Sequence, residues 1–235
     1  LTPSATPTLT ASPSPTPTLP PSPTPLTGKQ PSSAEALSVS TLYDPSGHMG
    51  DTGDVSIGKQ PASVIFTYET LGRGPHEWDY TYIGKQLNPK PAFFAGVLLL
   101  DPPNCWGTLL NCGYDLRGFK KLRWEARSLG EDVFVEFIIG GVVWQWDSTT
   151  KTQVAVPYPE SLPRISLGVK LLTSHTQSFE YDISYLPEEA LRKVIGGFGW
   201  VITWDANGVK RDASGTGPVE AKTFVIEVSK IEYLK

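Results

Sequence analysis

Apolar residues recur in this chain at every second position, over short stretches set between Gly- and Pro-rich turns. Lys120 to Arg127 reads KKLRWEAR and Asp132 to Ile139 reads DVFVEFII. A two-residue period puts alternate side chains on opposite faces of an extended strand, so such a chain folds as sheets. Helix has one foothold, Pro187 to Arg192, with Pro at a first-turn position and Glu188 and Glu189 behind it. Further strands are expected at Leu37–Tyr43, Ser63–Thr70, Ala92–Leu100, Val142–Trp146, Arg164–Leu172, Ser178–Leu186, Val194–Trp204 and Thr223–Leu234. KKLRWEAR and DVFVEFII are expected to pair as a hairpin about Gly130. Many short strands with turns between them predict an all-β fold, a β-sandwich preceded by an extended arm.

The arm is residues 1–27, LTPSATPTLTASPSPTPTLPPSPTPLT, about four-fifths Pro, Ser and Thr. Repeated Thr-Pro and Ser-Pro steps block helix and ladder and favour polyproline II backbone. Residues 1–33 are therefore assigned to a Pro/Ser/Thr-rich arm or stalk and 34–235 to the sandwich. Thr6, Thr8, Ser14, Thr16, Thr18, Ser22 and Thr24 are candidate O-glycan acceptors, as in mucin-like stalks. The alternatives are a tail without a role, or an assembly element held by a neighbouring copy. With no initiator Met, the chain is expected to be a processed or partial product.

Between two of these strands lies Pro102 to Leu116, PPNCWGTLLNCGYDL, which holds Cys105 and Cys112, the two cysteines of the protein. They are close enough to close a small ring, which would hold Trp106 at its edge. The alternative is two reduced, partly buried thiols. Two cysteines without nearby His do not make a zinc site. A net charge of −4 argues against nucleic acid as partner. Glu136 interrupts the longest apolar run, so no membrane span is expected.

Catalytic machinery is not legible. His48, His76 and His175 are scattered, and neither a nucleophile elbow nor a phosphate-binding loop is present. The expectation is a non-enzyme with no required cofactor. In DPSGHMGDTGD, Asp51 and Asp54 among glycines suit either a structural Ca²⁺ loop or an ordinary Asx-rich turn. Aromatic density is the stronger signal, because sugars stack C–H faces on rings and bind planar polar groups with their hydroxyls. Trp78, Tyr80, Trp106, Trp144, Trp146 and Trp204, with Asn104, are the candidate glycan-binding residues. Trp144 and Trp146 share a strand face, as do Trp200 and Trp204, and core packing is the competing role for each.

PSGHMGDTGD (Pro45 to Asp54), PPNCWG…GYDLRGFKKLRWEAR (Pro102 to Arg127), VIGGFGWV (Val194 to Val201) and the terminal FVIEVSKIEY resemble, in this order, a family of bacterial extracellular domains. That family has the galactose-binding-like jelly-roll fold and is similar to carbohydrate-binding modules. The resemblance runs from about Leu37 to the end. It departs at Cys105 and Cys112, where Asn or Gly is usual, and at His48, where Trp is usual. It departs also at the end of the chain, which carries Glu227 and no Asp pair; Asp51, Asp54 and Glu227 are the metal candidates. The resemblance implies a non-catalytic, secreted or cell-surface jelly roll with glycans as partners. The rival expectation is a structural subunit of a surface filament or layer, a homo-oligomer in which the arm docks on the next copy.

Overall fold

The structure, a computed structural model, describes residues 28–31, 34–71, 93–107, 109, 111–142, 144–147, 152–155 and 162–235. Strands are β1 (Ala36–Ser38), β2 (Asp44–Gly50), β3 (Val55–Lys59), β4 (Ser63–Glu69), β5 (Phe94–Leu100), β6 (Lys121–Ser128), β7 (Val133–Ile139), β8 (Trp144–Asp147), β9 (Thr152–Ala155), β10 (Ile165–Leu172), β11 (Gln177–Asp182), β12 (Gly196–Thr203) and β13 (Thr223–Leu234). Among the described residues, two single turns of α-helix, α1 (Val39–Leu42) and α2 (Glu188–Leu191), and two short 3-10 turns, Thr52–Asp54 and Asp205–Asn207, interrupt them.

A six-stranded sheet runs β11-β6-β13-β4-β3, with β1 added along β13, and a five-stranded sheet runs β10-β7-β12-β5-β2. Every pairing within them is antiparallel. From β4 to β7, and again from β10 to β13, successive strands alternate between the sheets. This is the jelly-roll β-sandwich, and the alternation is what leaves each strand with one inward face.

That face is aromatic. Trp124 of β6 lies 5.1 Å from Phe137 of β7, and 5.4 Å from both Phe179 of β11 and Phe198 of β12, so its ring joins the two sheets. Large rings crossing a sandwich bury much area per residue and fix the spacing of the layers. Two tyrosines reach the backbone from inside this core. Tyr43 donates to the Val194 carbonyl at 2.9 Å and Tyr233 donates to the Gly197 carbonyl. Burial raises both phenol pKa values.

Three expectations need correction. KKLRWEAR and DVFVEFII do not pair: β6 belongs to the six-stranded sheet and β7 to the five-stranded one. Their inward residues, Trp124 and Phe137 among them, meet face to face, so the turn near Gly130 crosses between layers. DPSGHMG is a strand, β2, paired with β5 through a register shift between Asp44 and Gly47. Its glycines are needed there, since a Cβ on Gly47 would come within 2.8 Å of Leu100. Leu37–Tyr43 is split, its first residues pairing with β13 and the rest turning as α1.

Candidate functional site

The loop after β5 is fastened on several sides. Cys105 and Cys112 form a disulfide, with Cα atoms 6.4 Å apart. The Gly113 N–H donates to the Asp101 carbonyl at 2.9 Å, and Tyr114 and Val194 exchange backbone hydrogen bonds of 3.0 and 2.8 Å. Gly113 has φ +77°, and a Cβ there would sit 2.6 Å from the Val194 carbonyl oxygen, so both conformation and space require glycine. Leu116 N–H donates to Leu191 of α2.

Residues at the end of the arm complete the clamp. Lys29 bridges in parallel to Tyr114, its N–H donating to Gly113 and its carbonyl accepting from Asp115. Its ammonium lies 2.6 Å from Asp101, and Gln30 donates to Asp115 at 2.8 Å. Gly28, Lys29 and Gln30, which the sequence assigns to the arm, thus contact the residues after β5. Asp115 is also held by Arg117, at 2.6 Å. Burial pushes the Asp115 carboxyl up, but the hydrogen bonds from Arg117 and Gln30 outweigh it and hold the group below its usual range.

Fastened in this way, the loop lies over the outer face of the five-stranded sheet. Both cysteines are buried there with Leu98, Leu100, Ile138, Val142, Ile195 and Val201, while Trp106, Met49 and Phe94 are partly buried against them. The sheet register explains the relief of this face. One cross-strand row reads Met49, Gly96, Val201, Glu136, Val169, and the next reads Gly47, Leu98, Gly199, Ile138, Ser166. Large and glycine positions are staggered between the rows. A Cβ on Gly96 would lie 2.4 Å from the Trp200 carbonyl oxygen, and one on Gly199 would lie 2.5 Å from that of Val97.

A groove of about 440 Å³ follows from this relief. Its floor is Met49, Phe94, Leu98, Ile138 and Val201, and Trp106 stands at one side. Thr203, Gly140 and Gly141 also line it, as does an ion pair in which Arg164 Nη2 meets Glu136 Oε2 at 2.5 Å. Beyond Glu136 the same sheet continues to Val169, Leu171 and Phe134, all exposed. An apolar floor with a few polar groups in its lining, of this size, is the usual form of a small-ligand site.

Of the residues expected from sequence, Trp106 lines the groove. Asn104 is exposed at the loop tip in a left-handed conformation (φ 59°), its N–H donating to Ser46 at 2.8 Å, and is not among the groove residues. Trp204 requires correction as a sugar platform. It is fully buried, with its indole N–H donating to the Tyr68 hydroxyl at 2.6 Å and its ring edge-on to Phe93 at 5.1 Å. Trp144 and Trp146 lie on β8 opposite Ala155 and Gln153 of β9, and their side chains fall outside the described residues, as do Trp78 and Tyr80 altogether. The candidate O-glycan acceptors from Thr6 to Thr24 lie outside them too.

Asp51, Asp54 and Glu227 do not come together. Asp51 and Asp54 are buried near Tyr68, whose hydroxyl is pushed above its usual pKa by burial and by these carboxylates. Glu227 instead accepts from Arg127 at 2.7 Å and Ser63 at 3.0 Å. Among the described residues no three His, Cys, Asp or Glu side chains gather as a metal would need. Met49, Glu136 and Arg164 had been missed. Glu136 is conspicuous in sequence as the lone charge within VFVEFII, a signal that an apolar strand has one outward polar position.

No protein-family profile matches the chain, and no curated protein does. Among solved structures, the chain is similar to a family 11 carbohydrate-binding module from Clostridium thermocellum in complex with a β-1,3-1,4-mixed-linked tetrasaccharide. That similarity has 11% identity and a TM-score of 0.38, covering 80% of this chain and 87% of that one. It is also similar to a family 29 carbohydrate-binding module, with 7% identity and a TM-score of 0.33, covering 84% and 86%.

Proposed function

We propose that this chain is a non-catalytic, secreted or cell-surface glycan-binding module, and that the groove beside Trp106 is its binding site. The observation that carries the reading is the composition of that groove. An aromatic wall and aliphatic floor suit the C–H faces of a sugar, and a guanidinium–carboxylate pair at the rim offers both donors and acceptors to hydroxyls. The disulfide and the O-glycan candidates of the arm support an extracellular setting. The test is calorimetric titration of a glycan panel into the chain and into Trp106→Ala. Affinity should fall at least about tenfold in the variant, the scale of one well-placed aromatic contact. Unchanged affinity would remove the groove from consideration.

A second reading, a filament or layer subunit whose arm docks on the next copy, rests on the strap at Lys29. There the domain takes up an extended segment from the end of the arm beside Tyr114. Light scattering of the chain with and without residues 1–27 tests it, and monomers from both would end it.

A further inference from the structure

We infer that the groove selects uncharged glycans, and that Glu136 is the residue that turns acidic ones away. The inference rests on the glycan-binding reading above and names the substrate class of that site.

Among the described residues lining the groove, the charged side chains are Glu136 and Arg164, and they face each other in one ion pair. Glu136 is placed on this outer face by the register that sets it between Val201 of β12 and Val169 of β10. About a quarter of its side chain and half of that of Arg164 remain exposed, at 24% and 53%. Both are therefore within reach of a ligand while neutralising each other. A sugar hydroxyl meets no net charge there, and finds an acceptor in the carboxylate and donors in the guanidinium.

A uronate brings a carboxylate where a neutral sugar has a hydroxymethyl group. To pair with Arg164 it must share that guanidinium with Glu136, which accepts from its Nη2. That would leave two carboxylates around one cation, a net negative charge on a surface otherwise made of Met49, Val201 and Ile138. Like charges so placed are costly in an apolar setting, and rejection by an unpaired charge is a common source of specificity.

The experiment titrates glucose- and mannose-based oligosaccharides and oligouronates of matched length into the whole chain and into Glu136→Gln. Wild type should bind neutral sugars and reject oligouronates. Glu136→Gln should shift the neutral-to-acidic affinity ratio toward the acid by about tenfold or more. Thermal melts confirm that the variant folds. Salt supplies the second measurement: oligouronate binding to the variant should weaken as ionic strength rises, and neutral binding to wild type should not. Wild type that takes oligouronates as readily as neutral sugars, or a ratio unmoved in the variant, overturns the selectivity while leaving the groove as a glycan site. If wild type binds neither class, the glycan reading itself falls, and this inference with it.

Discussion

Reduction of the Cys105–Cys112 bond isolates the contribution of the loop that walls the groove. The bond closes a sequence separation of seven. Constraining a loop of that length removes about 8 cal/mol/K of entropy from the unfolded chain, or about 2.4 kcal/mol at room temperature. In a domain of this size each kcal/mol moves the melting midpoint by about 2–4 °C, so reduction should lower it by about 5–10 °C. Both sulfurs lie in a buried apolar cluster under Trp106, so the freed thiols stay covered in the folded chain. The difference thus reports mainly on the unfolded state. The assay is thermal and urea unfolding before and after phosphine reduction, with glycan affinity followed in parallel. Coincident midpoints, or thiols that titrate in the unreduced, unfolded chain, would refute the reasoning.

Three other outcomes follow from the packing. Trp204→Phe removes the bond to Tyr68 from the core and should cost about 1–2 kcal/mol in urea unfolding, with glycan affinity unchanged. Gly96→Ala forces a Cβ against the Trp200 carbonyl oxygen and should destabilise by about 1–3 kcal/mol, read as a lower urea midpoint. Asp115 has a folded pKa below its unfolded value near 4, so its contribution is present above about pH 4. That contribution is lost as pH falls through the lower folded pKa. The slope of stability against pH in that acid window should flatten in Asp115→Asn, and an unchanged slope would contradict the assignment.

The strands that were legible in sequence are those with one buried face. KKLRWEAR, DVFVEFII and FVIEVSKIEY each alternate, and each is a strand of the sandwich. What alternation does not encode is partner choice. β6 and β7 look like a hairpin because each supplies an inward apolar row, yet two such rows can satisfy each other across the layers as well as beside one another. β2 escaped because its strand character comes from pairing and close approach at Gly47, not from side-chain hydrophobicity. The site was half visible. Trp106 stood out through its cysteine neighbours, whereas Met49 and Glu136 become partners only through a register linking β2, β5, β12 and β7. Trp204 misled because a Trp near a strand end reads equally as a platform or as core, and Tyr68, its buried partner, is distant in sequence.

The chain contains one methionine, Met49, and it lies on the floor of the groove. Protein labelled with ¹³C at the methionine methyl therefore gives a single resonance reporting from the proposed site. Titration with a neutral oligosaccharide found to bind by calorimetry should move that resonance saturably, with the calorimetric affinity, and Trp106→Ala should weaken both together. Calorimetric binding with the Met49 resonance unmoved would place the glycan elsewhere and contradict the account.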